Sequence, residues 1–534
     1  MSSERRAFVT IDRGTATNAV ALVARVAGTW RLLGSTSAAT SVAPAALVER
    51  LRRRLAEAEP ELAGQLDLAQ PGAGADLPRV ACSTSRPPEI AVLTATRRIA
   101  EPLAAIAATA GGRVRTLVLD GAEILPVVTA LADPRVTTVV AATSDPPGAD
   151  ERTLIPDLAA VIATATDRRP DLVTVLAGGL ATPGSRLEAL LGERASSMVL
   201  GPSPLVDGGA PLHALLDSLR GGTDDGRRAL AAATGTLAEV LRRRVELVEI
   251  GQAGATRAVA SWRADAVSRA RWGSVPAAAL LPPSFTDAHL DAVAGWLTTP
   301  VDRLRVRDRL RELALVPWGD ATGDGALLRL AAARAALARL VAATPSLDAG
   351  PGPDVLVAAG GAWAVAPAPA VALALADVVR RPGVRAQGWD HARLLAPLGT
   401  IEDDDERRSV MADLRDELLV PLGSVVMPGG LRAGRVAGSL SVGRPEGPVD
   451  LELAPGGIER VDLSPGERAV VELRFRDTVD LGVRVRHVAV EVAGGLGGLL
   501  VDLRDIPLRL PDRPEPRRER LATWQSAAWT GIEA

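Results

Sequence analysis

Short runs of β-branched and apolar residues open the chain. Residues 8–11, 19–26 and 29–36 read as three strands, joined by the small, polar connections DRGTAT and AG. Leu47, Val48, Leu51 and Leu55 then recur at helical spacing, which predicts a helix over 44–58 with the run RLRRR on its outer face. Residues 60–78, rich in Pro, Gly and Ala, read as loop. From about 79 to 202 the pattern alternates strand and helix, with strands near 79–82, 89–93, 115–119, 137–142, 171–177 and 197–200. Such alternation predicts parallel βα units.

Beyond a turn-rich stretch, a helix at 229–243 leads into a second strand–turn–strand, VELVEIGQAGATRAVASW. Helices at 286–297, 302–315 and 325–343 follow, then the apolar strand 354–361, a further helix and the segment LLVPLGSVVMPGG. From about 438 the pattern is all strand and turn. The tail, 511–534, carries Trp524 and Trp529 and reads as a short docked helix.

One internal similarity stands out. IDRGTATNAVA (11–21) and VEIGQAGATRAVA (248–260) share an acidic residue, a glycine two positions on, a threonine and an apolar strand. They align Asp12 with Glu249, Gly14 with Gly251 and Thr17 with Thr256, the second copy being two residues longer at the turn. Glycines let backbone N–H groups approach phosphate oxygens, and threonine hydroxyls add donors. An acidic residue at the strand end repels phosphate, so it is expected to face a cation such as Mg²⁺. The spacing between the copies suits two halves of a duplicated fold that clamp a triphosphate. The strand ending in Gly360-Gly361 offers bare backbone on which a flat ring could rest.

Composition narrows the alternatives. Apolar residues make up 47% and charged residues 23% of 534 positions, with a formal net charge of −3. That balance gives no electrostatic footprint for nucleic acid or an anionic membrane. All basic residues are Arg, and the absence of Lys excludes a GxxxxGK[ST] loop. The lone cysteine, Cys82, excludes an intrachain disulfide and a cysteine-built metal site, and reads as a small buried residue. The four histidines are too scattered for metal ligation. Residues 355–376 carry no charge, but Gly360-Gly361 and the prolines divide them into strand, turn and helix. No apolar signal core precedes the first turn, so a cytoplasmic location and no membrane association are expected.

IDRGTATNAVALV is similar to the first phosphate loop of the actin/Hsp70/sugar-kinase superfamily, VEIGQAGATRAV resembles its second, and VLVAAGGAW its adenosine motif. The resemblance implies that Asp12 and Glu249 lie near Mg²⁺. It implies that Gly14, Thr15 and Thr17 hold phosphate together with Gly251, Gly254 and Thr256, and that Gly360 and Gly361 lie beside adenosine. Within the superfamily the likeness is to the glutamate mutase accessory (GlmL/MutL-like) family. The pieces occur in that family's order: ACSTS (81–85), RPDLVTVLAGG (169–179), the second loop, PDVLVAAGG (353–361), LLVPLGSVVMPGG (418–430) and GGLGGLLVDLRDIPLRLP (494–511).

The implied protein is an ATP-binding, chaperone-like reactivating factor whose partners are cobalamin-dependent mutase subunits. Three departures, Glu249 for Asp, Gln252-Ala253 within a glycine run, and RPPE at 86–89, put hydrolysis in doubt. No DxHxxG cobalamin signature occurs. A small-molecule kinase of the same architecture and a degenerate, non-catalytic scaffold are the rival readings. The expected fold is α/β, with duplicated actin/Hsp70-like (ribonuclease H-like) lobes around a cleft. Segments 1–78 and 236–437 form the lobes, 79–235 an inserted βα region, 438–510 a C-terminal all-β domain and 511–534 a tail.

Overall fold

In the computed structural model the described residues are 6–83, 88–182, 198–219, 225–263, 266–268, 270–282, 284–316, 323–364, 366–444 and 447–529. Residues 84–85 of ACSTS, 86–87 of RPPE and position 197 of the expected strand 197–200 lie outside them. The chain falls into two compact units, one of residues 1–85, 223–272 and 278–534, the other of 86–222 and 273–277.

The smaller unit is built on a five-stranded, all-parallel sheet in the order Arg113–Val118, Glu89–Thr94, Val136–Thr143, Val173–Gly178, Met198–Gly201. Consecutive residues of a strand point to opposite faces, so each face needs its own cover. Ala91, Leu93, Val139 and Leu176 pack with the helices Ile124–Leu131 and Ala149–Arg168. Ile90, Val92, Val140 and Val175 pack with Arg97–Thr109 and Ala210–Leu219. The continuous apolar runs of these strands follow from burial on both sides.

Among the described residues the larger unit contains a two-stranded ladder, Trp262–Arg263 with Ala266–Val267, and three larger sheets. The first has the order Thr29–Ala39, Thr17–Val26, Ala7–Arg13, Arg79–Ser83; neighbours are antiparallel except the last, which runs parallel to Ala7–Arg13. Helix Pro44–Ala58 covers it with Leu47, Val48, Leu51 and Leu55, and its proline sits in the first turn, where no amide is needed. The expected loop 60–78 includes a short helix, Pro60–Gln65.

Seven neighbouring strands of the second sheet run Ala255–Ala260, Val245–Ile250, Val355–Ala359, Gly383–Trp389, Val420–Met427, Leu499–Asp502, Ile458–Val461. Here too an antiparallel hairpin is followed by a strand, Val355–Ala359, lying parallel to its first arm. The helix Gly226–Leu241 lies between the first and second sheets. Its Leu230 and Leu237 join Phe8 and Val23 of one to Leu247 and Val357 of the other. Residues 355–376 form a strand, a tight turn and part of helix Ala368–Val378, and among the described residues no helix is long and apolar enough to cross a membrane.

The third sheet is antiparallel, in the order Val449–Leu453, Gly438–Gly443, Arg468–Asp480, Arg484–Ala493. Burial alternates along Arg468–Asp480, one face in the core and one toward solvent. The segment expected as a C-terminal all-β domain divides its strands: Ile458–Val461 and Leu499–Asp502 belong to the second sheet.

A buried ionic network fixes that attachment. Arg380 Nη1 and Arg504 Nη2 each donate to Asp502 Oδ2 at 2.7 Å. Arg504 Nη1 donates to Asp377 Oδ1 at 2.6 Å, and Arg334 Nε to Asp377 Oδ2 at 2.5 Å. The Arg504 guanidinium also lies over Trp524 of the tail helix Pro514–Ala528, 4.7 Å from the ring centroid. Burial alone would raise the Asp502 carboxyl, but Arg504 and Arg380 hold it down at about 2. Its stabilising effect is therefore present above the ordinary carboxylate range and lost as pH falls toward 2. Asp502→Ala leaves two buried guanidinium groups without their shared partner. It is expected to destabilise the protein by about 3–5 kcal/mol, read from denaturant unfolding at neutral pH.

Candidate functional site

The two hairpin turns of the larger unit occupy equivalent places in their sheets. Asp12 pairs across its hairpin with Ala19 and, on the parallel side, with Cys82. Glu249 pairs with Thr256 and, on the parallel side, with Ala359. Each acidic residue is thus next to last on its strand. Each turn is closed by one bond across four residues: Gly14 N donates to Thr17 O and Gly251 N to Gly254 O, both at 2.9 Å.

This register corrects the sequence alignment. The turns are equal in length, with no insertion in the second, and the counterpart of Thr17 is Gly254 rather than Thr256. Thr256 is fully buried within its strand, its hydroxyl bonded to the Glu249 carboxylate, and does not line the pocket.

The other expected site residues meet in one place. Asp12, Gly14, Thr15, Thr17, Glu249, Gly251, Gly254, Gly360 and Gly361 all line a single cleft whose empty volume, its open mouth included, is about 980 Å³. Gly360 has φ +93°, and a Cβ there would lie 2.5 Å from Ile250 O, so only glycine lets the strand end close against the second turn. A Cβ on Gly361 would meet only Thr17 Oγ1, at 3.9 Å, which leaves open space between the two. The amides of Thr15, Ala16, Gln252 and Ala253 donate to no backbone acceptor among the described residues.

Sequence reasoning missed the charged groups that complete the cleft. Arg227, Arg329, Asp390 and Arg393 also line it, beside an apolar wall that includes Leu230, Leu280, Leu281 and Leu313. Arg227 sits in the first turn of helix Gly226–Leu241, which Asp225 caps by accepting from Arg227 N at 3.0 Å. That helix therefore presents its N-terminal end to the cleft. Asp390 and Arg393 follow the strand Gly383–Trp389, which hydropathy did not reveal. Strand-end position in an α/β sheet was the signal that could have found them.

Arg393 reaches the first turn directly. Its Nε donates to Asp12 Oδ2 at 2.7 Å and its Nη1 to Thr17 Oγ1 at 2.6 Å, while Nη2 lies 2.6 Å from Asp12 Oδ2. Asp12 Oδ1 accepts from the buried Cys82 thiol at 3.6 Å. Burial, then the Asp12 charge, pushes that thiol well above its usual value, so Cys82 is a packed donor and not a nucleophile.

At the expected Mg²⁺ position the Asp12 carboxylate is paired with the Arg393 guanidinium. Among the described residues no three or more His, Cys, Asp and Glu side chains group as a metal site.

Glu249 and Asp390 are both pushed up to about 7. For Glu249 burial is the main cause, opposed by Arg227 and Arg393 and assisted by Asp12. For Asp390 burial again leads, opposed by the amides of Leu394 and Leu395, which donate at 2.8 and 3.2 Å. A carboxyl raised by folding binds its proton more tightly in the native state. Its stabilisation is complete below the unfolded value of about 4.5 for Glu249 and is lost as pH rises through about 7. Wild-type stability minus that of Glu249→Gln is therefore expected to fall by roughly 1–3 kcal/mol between pH 4.5 and 8, measured by denaturant titration at each pH.

No protein-family model matches the chain, and no curated protein matches it. Among solved structures it is similar to component A of (R)-2-hydroxyglutaryl-CoA dehydratase from Acidaminococcus fermentans, at 8% identity over 75% of this chain and 99% of that one, with a TM-score of 0.26. It is also similar to the Ppx/GppA family member from Aquifex aeolicus, at 9% identity over 76% and 87%, with a TM-score of 0.19.

Proposed function

We propose that this protein binds a nucleoside triphosphate, ATP by the sequence resemblance, in the cleft between its two hairpin turns. The observation that carries the reading is the convergence of four turn amides lacking a backbone acceptor, three arginines and a helix N-terminus on one cleft. Backbone amides, guanidinium groups and a helix N-terminus all attract anions. The leucine wall and the bare backbone at Gly360-Gly361 suit the apolar ring of a base. With Glu249 and Asp390 raised to about 7, both carboxyls are partly neutral at physiological pH, which lowers their repulsion of phosphate.

The repeated order of hairpin followed by parallel strand supports two actin/Hsp70-like lobes. The finer assignment, a chaperone-like accessory factor for a cobalamin-dependent mutase, rests on the order of short sequence motifs. In that reading the cleft closes around nucleotide, and closure changes the surface offered to the partner.

Calorimetric titration with ATP tests the binding claim. Wild type is expected to bind, and ATP at ~100 times its Kd to add about 2.7 kcal/mol to stability. Gly361→Val, which projects into the open space beside Thr17 without meeting backbone, is expected to weaken binding by about ten-fold or more while melting normally. Unchanged affinity in that variant, or no binding of any nucleoside triphosphate to wild type, would sink the reading.

A further inference from the structure

We propose that Arg393 is the resident cation of this phosphate site, so that nucleotide binds there without a divalent metal ion. The inference rests on the nucleotide reading above and concerns what neutralises the phosphates.

A divalent ion at the first turn would need oxygens of Asp12. One of them, Oδ2, already receives Nε and Nη2 of Arg393, and the other receives the Cys82 thiol. A metal ion would also meet the guanidinium charge at contact distance. The first turn is shaped around the guanidinium. A side chain at Gly14 would come within 2.9 Å of Thr17 O and 3.0 Å of Arg393 Nη2, so the glycine admits the arginine as well as closing the turn.

Arg393 is itself held in place. Its φ is +55°, a left-handed conformation that a residue with a side chain seldom adopts. Asp390 secures the turn by accepting from the amides of Leu394 and Leu395, and Leu394 and Leu395 are anchored in the core. A strained residue fixed on both sides and aimed at a binding turn marks a functional position.

The guanidinium fork has more N–H groups than Asp12 and Thr17 consume. Each Nη atom keeps a second N–H that these contacts do not use, available to a phosphate oxygen. Arg227 and Arg329 bring further positive charge to the same cleft.

Titration of the full-length chain with ATP, once in EDTA and once in excess MgCl2, decides the matter. Wild type is expected to show affinities within about three-fold of each other. Arg393→Met is expected to lose about ten-fold or more in EDTA and to recover in Mg²⁺, the freed Asp12 carboxylate now accepting the metal. Arg393→Lys keeps the charge and is expected to retain binding in EDTA.

Wild-type binding that needs Mg²⁺ overturns the proposal and leaves the nucleotide reading standing. Undiminished binding of Arg393→Met in EDTA also overturns it. No binding by wild type in either buffer removes the nucleotide reading and this inference with it. Should Arg393→Met fail to fold, wild type and Arg393→Lys decide between these outcomes.

Discussion

A carboxylate at the end of a buried strand needs a cation, and in this protein an arginine from another sheet supplies it. Asp12 belongs to the first sheet, while Arg393 follows a strand of the second, so their contact joins the two sheets at the cleft. Both side chains are nearly enclosed, at 10% and 13% exposure. Removing either would strand a poorly solvated charge, a change that costs several kcal/mol. Thr17 is held through the same guanidinium, and a side chain at Gly14 would crowd it, so the first turn is shaped around it.

That contact is possible because the backbone brings strand ends together. In each sheet a hairpin arm runs parallel to the next strand, so the loops carrying chemistry emerge at the same edge. Helix Gly226–Leu241 sets the separation of the two sheets, since its leucines are shared by cores on both sides. Each such buried side chain contributes about 1.5–3 kcal/mol, which makes the spacing of the turns a property of the core.

Much of this was legible because the relevant strands are apolar and short. The hairpins, the helix at 44–58 and the strand before Gly360 announce themselves by spacing alone, and the paired turns by their glycines. The strand Gly383–Trp389 did not, because it reads GVRAQGW: Arg385 and Gln387 are buried yet polar, with Arg385 Nη2 donating to Val379 O at 2.6 Å. Hydropathy cannot register a buried strand that carries polar side chains, and here Arg385 Nε and Gln387 Nε2 are buried without a hydrogen-bond partner among the described residues. Missing it concealed Asp390 and Arg393, the residues that change the charge of the site. The Thr17–Thr256 alignment failed for another reason. Matching residue types favoured threonine with threonine, whereas hydrogen-bond register, which sequence does not display, pairs Thr17 with Gly254.

The resulting turns are equal in backbone and unequal in chemistry. The first offers a hydroxyl and a guanidinium, with its acidic residue neutralised by contact. The second offers glycine and bare amides, with its acidic residue shifted by burial toward the neutral form. Both arrangements remove negative charge from the cleft, one by pairing and one by protonation. Protonation of Glu249 weakens above about 7, so the second turn regains negative charge as pH rises past that point.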